Sequence, residues 1–320
     1  MVLSMLVIDL ALFLLASIVL VSSGRYIVIF LSRISAYIGM TEYVTAFIIM
    51  SVSTSLPELF VGINSALKHI PVLTMGNVIG ANIINLTLVI SVSALLSRGI
   101  KIKEDIKENL LFMFLLASLP IVLIWFGSSL SRLDGLILVS IFFWYVYYTI
   151  KQKRVSKVKK NVKNGVVMEF SKFMNNVVLL AFSVILLFGS SFFVVRYASS
   201  LAVNLGISEI LIGLFLVSIA TSLPELTFGV MSSLAKKAQM TVGDSIGSVI
   251  CNSTLVLGVT ALIYPISDDF ILLFTSLLFM LFSIIIFIIM VRKNNAVSWR
   301  NGLLLLLVYI LFILFEFYLK

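Results

Sequence analysis

One cysteine in 320 residues excludes an internal disulfide framework. The single histidine beside it leaves no Cys/His cluster for zinc, copper or iron. Charge is scarce as well: 12% of residues are Asp, Glu, Lys or Arg, against about 25% in soluble domains. Apolar residues fill the space at 61%, with a mean hydropathy of +1.19. Such a chain cannot cover itself with polar groups in water, so lipid must be its solvent.

A membrane-spanning helix needs about 20 mainly apolar residues. Stretches of that kind fall near 4–23, 43–67, 72–97, 109–128, 133–150, 173–195, 208–234, 240–264, 269–291 and 301–319, which predicts ten helices. Long continuous apolar runs exclude a β-barrel, whose strands are short and alternate. The first run lacks the basic flank of a secretory signal and is too long for its apolar core, so it reads as a true span.

Net charge is +9, but its distribution says more than its size. With the stretch after helix 5 placed in the cytoplasm, 19 of the 23 Lys and Arg lie inside; only Lys68, Arg132, Arg196 and Lys320 lie outside. The positive-inside rule then puts both termini outside a cell (inner) membrane. The run KQKRVSKVKKNVK opens a basic cytoplasmic linker at 151–172, able to touch anionic lipid. No aromatic platform or binding motif accompanies it, so nucleic acid is not an expected partner.

The chain contains a second copy of itself. SVSTSLPELFVGINSALKHI (51–70) aligns with SIATSLPELTFGVMSSLAKK (218–237), and TMGNVIGANIINLTLVISV (74–92) with TVGDSIGSVICNSTLVLGV (241–259). Both alignments are ungapped at an offset of 167, with 20 of 39 pairs identical. Two similar halves of five helices each must enter the membrane in opposite senses. The expected organisation is therefore a first half at 1–150, the linker at 151–172 and a second half at 173–320. Inverted repeats place a binding site near the membrane midplane, where the halves meet.

Carboxylates inside hydrocarbon cost at least about 2.5 kcal/mol each and default to functional candidates. Glu58 and Glu225 sit inside helices 2 and 7, each directly after a proline in the repeated TSLPE. Pro57 cannot donate to the carbonyl of Ser53, nor Pro224 to that of Ala220, so both helices are expected to be broken there. Thr54 and Thr221 lie four residues before the glutamates on the same helical face, with Ser55 and Ser222 beside them. On helices 3 and 8, Asn77, Ala81 and Asn85 recur every four residues, as do Asp244, Ser248 and Asn252. The adjacent pairs Gly76/Gly80 and Gly243/Gly247 let helices approach closely. Two carboxylates, amides, hydroxyls and carbonyls make an all-oxygen site suited to hard cations such as calcium. Two carboxylates neutralise one divalent or two monovalent ions, a simple basis for exchange.

At these motifs the sequence resembles the cation/calcium exchanger superfamily, most nearly its prokaryotic sodium/calcium exchangers. The resemblance implies an all-α membrane protein of ten helices in two inverted five-helix repeats, working by antiport. It implies Glu58 and Glu225 as central ligands of Ca2+ and Na+, with Thr54 and Thr221 adding oxygens and Asn85 and Asn252 at the midplane. Ser51, Ser55, Ser222, Ser248 and Ala220 would stand around flanking sodium sites, and long helices 1 and 6 would slide against the other eight. The chain departs from the pattern at Ser51, Ser53, Ala81, Asp244 and Asn252, the last arguing against potassium dependence.

The expected function is exchange of Ca2+ for Na+, or alternatively Ca2+/H+ or other divalent cation/H+ exchange, by a monomer in the bilayer with no cofactor. A channel would lack countertransport, and an intramembrane protease would need paired aspartates. Asp244, seven residues from Lys237, is expected at a helix end or entrance. Cys251 reads as a packing residue, His69 as solvated, and Asp268 and Asp269 as an outer loop. No EF-hand loop is present.

Overall fold

The computed structural model describes residues 2–38, 50–102, 104–153, 170–267 and 271–319. The central part of the basic linker, and Asp268 and Asp269, lie outside the described residues.

Helices dominate, as they must where hydrocarbon offers no partner to a backbone amide. The first half holds α1 (Val2–Ile38), α2 (Met50–Thr54), α3 (Leu56–Leu67), α4 (Val72–Ile84), α5 (Ile90–Leu96), α6 (Glu104–Gly127) and α7 (Arg132–Lys153). The second holds α8 (Phe170–Leu205), α9 (Glu209–Ile212), α10 (Ser218–Thr221), α11 (Leu223–Leu234), α12 (Gln239–Cys251), α13 (Leu257–Ile263), α14 (Ile271–Asn294) and α15 (Trp299–Leu319). Short π-helical turns at Asn85–Val89 and Asn252–Val256 join α4 to α5 and α12 to α13; a third at Gly213–Val217 joins α9 to α10. Among the described residues nine helical stretches are long and apolar enough to cross a membrane, and Leu56–Leu67 is a shorter apolar one. The ten predicted spans each find a counterpart, the second seen from Met50 onward.

Two helices run well past their predicted ends. Arg25 and Arg33 lie within α1, and Arg196 within α8, rather than in loops. These long helices pack on one another through Phe13, Leu20, Ile27, Leu187, Val194 and Ala198, in a second apolar cluster that also takes in Val61, Leu73, Val217 and Ala220 of the repeats. Ser200 and Asn204 of α8 also donate to Asp9 of α1, at 2.6 and 3.0 Å.

The main core is built around the two repeats. In the α4–α5 span 83% of the apolar window is buried and in α12–α13 78%, against 28% in the α1 and α8 spans. The repeat symmetry extends to the turns. His69 and Lys236, 167 residues apart, both take left-handed backbone, with φ of 61° and 59°. Each stands where the helix carrying a glutamate ends, in the αL position that satisfies terminal carbonyls: Ile70 N–H bonds Ser65 O and Lys237 N–H bonds Ser232 O. Beneath them Ser65 meets Thr74, and Ser232 meets Thr241, hydroxyl to hydroxyl. A two-residue antiparallel strand pair, Ile100–Lys101 with Ala296–Val297, ties the halves at one end.

A cavity of about 650 Å³ opens between residues 96–101 and 233–239. Arg98, Lys101, Lys236 and Lys237 line it, which makes it a poor vestibule for cations.

Candidate functional site

Pro57 and Pro224 interrupt their helices without dissolving them. Ser55 (φ −80°, ψ 1°) and Ser222 (φ −83°, ψ 0°) each leave helical geometry for a single residue. Hydrogen bonding continues on both sides: Ser55 N–H to Ser51 O and Leu59 N–H to Ser55 O, at 3.1 and 3.0 Å, with the same pair around Ser222 at 3.0 and 3.1 Å. The interruption puts Glu58 and Glu225 in the first turn of α3 and α11, where the helix dipole favours an anion.

Both glutamates are 0% exposed, and none of their four carboxylate oxygens has a hydrogen-bond partner. Four other acids among the described residues differ. Asp9, Asp134, Glu209 and Glu316 each accept a serine hydroxyl at 2.6–2.8 Å. Burying an unpaired carboxylate costs several kcal/mol, so two such groups in matching positions are hard to explain as packing. The side chain of Thr221 approaches Glu58, and that of Thr54 approaches Glu225. The two glutamates thus converge from opposite repeats, near enough to feel each other's charge.

The threonines tie the repeats together. Thr54 Oγ1 donates to Asp244 Oδ1 at 3.2 Å and stands 3.2 Å from Ser248 Oγ. Its counterpart Thr221 Oγ1 donates to Asn77 Oδ1 at 3.0 Å. Asp244 therefore does not stand at a helix end or entrance. It is 0% exposed and packed against Thr54, because α12 begins at Gln239 and carries residue 244 past its first turn into the protein.

Asn85 and Asn252 each open a π turn, the geometry that widens a helix by one residue per turn and re-aims side chains. Both are fully buried. Asn85 has no partner for either amide atom, while Asn252 donates to Asn82 Oδ1 at 3.3 Å and keeps its own oxygen unpartnered. Asn82, which the sequence reading passed over, is held in turn by its bond to Ser253 at 2.9 Å. The hydroxyls of Ser55 and Ser222 are likewise buried and unpartnered. Ser51 is buried with its carbonyl 3.3 Å from the Thr54 hydroxyl.

Ala220 falls apart from this group. Its side chain joins the apolar cluster of the long helices, so only its carbonyl, which Pro224 cannot engage, is available to a cation. The 167-residue offset pairs Ser51 with Ser218 instead, a residue the sequence reading did not select. Cys251 is buried as expected, and His69 is exposed beside Tyr264. Among the described residues no three His, Cys, Asp or Glu side chains gather to hold a metal. The candidate site is instead two glutamates among hydroxyl, amide and carbonyl oxygens, with the Asp244 carboxyl held behind Thr54, an all-oxygen donor set of the kind calcium accepts.

The model of the sodium/calcium exchanger protein family matches residues 8–151 and again 175–318, the two matches lying at the same 167-residue offset as the motifs. The chain belongs to this family. A membrane protein of Methanocaldococcus jannaschii is 30% identical over 313 residues, covering 96% of this chain and 97% of its own. The sodium/calcium exchanger MaX1 of Methanosarcina acetivorans is 26% identical over 358 residues, covering 98% and 100%. Among solved structures, the sodium-calcium exchanger NCX_Mj, soaked with sodium and strontium, superimposes with a TM-score of 0.69 at 25% identity, covering 96% of this chain and 98% of that one. Family membership and the apolar helices make this a multi-pass membrane cation exchanger.

Proposed function

We propose that the protein exchanges Ca2+ for Na+ by alternating access, with Glu58 and Glu225 as the shared ligands of both ions. The observation that carries this reading is the set of four buried carboxylate oxygens without partners, contributed equally by two repeats of opposite sense. One divalent ion or two monovalent ions neutralise the pair equally well, so each displaces the other. Thr54, Thr221, Ser51, Ser55, Ser222, Ser248, Asn85, Asn252 and the carbonyl of Ala220 supply neutral oxygens. The names and soaked ions of the relatives point the same way.

Movement is assigned to α1 and α8, which pack on one another and meet the remaining helices through apolar side chains such as Val61, Leu73, Val217 and Ala220, a surface over which the pair can slide. Both termini are assigned to the outside and the basic segment 151–172 to the cytoplasm, on the charge distribution. The two halves at 1–150 and 173–320 are assigned as the units that exchange roles.

Radiolabelled calcium uptake into proteoliposomes is the test, driven in parallel by an outward sodium gradient and an outward proton gradient. Uptake driven by sodium, and accelerated by sodium on the opposite side, is the expected result. Uptake driven by protons alone moves the protein to proton coupling with the same glutamates. Absence of uptake under both gradients overturns calcium antiport.

A further inference from the structure

Four buried residues beside the site form a hydrogen-bond chain that runs in one direction. Asn252 Nδ2 donates to Asn82 Oδ1 at 3.3 Å. Asn82 Nδ2 donates in turn to Ser253 Oγ at 2.9 Å and to Met280 Sδ at 3.6 Å. All four residues are at most 3% exposed, so bulk water does not compete for these contacts. The oxygen of Asn82 and both hydrogens of its NH2 are spent on the three partners.

Direction matters because the two ends of an amide have nearly the same shape and opposite chemistry. The oxygen accepts and suits a cation; the NH2 donates and disfavours one. The Ser253 hydroxyl can give or take a hydrogen bond, so it tolerates either end of Asn82. The Met280 thioether can only accept. It holds the NH2 of Asn82 towards itself, which leaves Oδ1 for Asn252. Asn252 meets that oxygen with its own NH2, and its Oδ1 is left buried without a partner. The other repeat lacks this chain. Helices α6 and α14 match at the 167-residue offset, which pairs Met113 with Met280. The places of Asn82 and Ser253, however, are taken by Val249 and Leu86, and Asn85 has no partner for either amide atom.

We propose that Asn82, oriented by Met280, is a positioning residue that commits Asn252 to present its oxygen to the transported cation. The device exists on one side of the pseudo-twofold only, so Asn252 is a fixed oxygen donor and Asn85 is free to turn. This inference rests on the reading of Asn252 as a ligand in cation exchange. Asn82 acts through Asn252 and not on the ion. Met280 lies on α14, outside both repeated motifs, so a helix at the edge of the core sets the polarity of a group at the site.

The test asks whether the effect of Asn82 passes through the amide of Asn252. Asn82→Val installs the residue that the repeat counterpart already carries. Asn252→Asp gives position 252 two oxygens, so neither orientation presents a donor to the ion. Radiolabelled calcium binding is measured on purified, monodisperse wild type, on each single variant and on the double variant. Alone, Asn82→Val is expected to raise half-saturation about tenfold, the scale on which removing a ligand's supporting contact acts. Added to Asn252→Asp, the same change is expected to shift it less than about twofold. Met280→Leu keeps the volume and removes the acceptor. It is expected to weaken binding in the same direction, again only where residue 252 is asparagine, and it decides the matter if Asn82→Val fails to fold. Unchanged affinity in both Asn82→Val and Met280→Leu overturns the proposal. An equal loss with and without Asn252→Asp overturns it too, by showing that Asn82 serves packing alone. Failure of wild type to bind calcium counts against calcium exchange, and the same variants measured with radiolabelled sodium then judge the role of Asn82.

Discussion

Glu58→Gln and Glu225→Gln are each expected to abolish calcium-driven exchange and to raise, not lower, the thermal stability of the ion-free protein. Glutamine keeps the shape and one acceptor oxygen of each side chain but removes its charge. In the loaded site the cation then faces one carboxylate instead of two. Removing one partner of a buried charge pair costs about 3–5 kcal/mol, which is a loss of at least about a hundredfold in affinity. In the ion-free protein the sign reverses. Both carboxyls are buried, without hydrogen bonds and within reach of each other's charge, so in the empty site each must either stand as a desolvated, repelled anion or take up a proton, and glutamine removes that cost. Melting temperature measured with and without calcium separates the two effects. Wild type gains stability as calcium is added, since ligand binds only the folded state. The variants begin higher and gain nothing. Retained uptake in either variant, or a melting temperature that still rises with calcium, removes the glutamates from the site.

Much of this site was legible in the sequence because duplication amplifies it. A lone TSLPE is weak; the same pentapeptide at residues 54–58 and 221–225, with matching downstream asparagines, fixes the register of both halves. The number of helices followed from hydropathy. Their lengths did not: α1 and α8 continue through Arg25 and Arg196, where a long side chain can reach a polar surface while its stem stays apolar. The π turns at Asn85 and Asn252 left no readable trace, since no residue type selects them. Asp244 was misread because distance along the chain to Lys237 was taken for distance into the membrane. The cross-repeat bond from Thr54, 190 residues away, is a tertiary fact that no local pattern carries. Asn82 escaped for a related reason. Its partners Asn252 and Ser253 lie in the other half, and its own repeat counterpart is Val249, so symmetry did not mark it.

Through glycine, α4, which carries Asn77, reaches the segment at 210–214 that precedes Thr221 and Glu225, and filling that contact is expected to be strongly destabilising. A Cβ placed at Gly76 runs into the carbonyl of Ile210, and one at Gly213 into the carbonyl of Leu73. Both obstacles are backbone, so no rotamer can relieve them. Gly76→Ala and Gly213→Ala are each expected to cost about 1–3 kcal/mol from overpacking, against a helix-propensity gain of up to about 1 kcal/mol. The control is Gly189→Ala, where a Cβ meets nothing within 4 Å and only the gain remains. Melting temperatures should therefore fall for the first two variants and hold or rise for the third. The two interface variants touch the same pair of helices, since Gly76 also approaches Leu214 and Gly213 approaches Asn77. Once one methyl has pushed them apart, the second meets less resistance, and the double variant should lose less than the sum of the singles. Exchange should be lost along with stability, because the same displacement draws Asn77 away from Thr221. Full additivity would show that the two glycines serve separate contacts, and unchanged stability in Gly76→Ala would remove the close helix approach as the element that holds the two repeats in register.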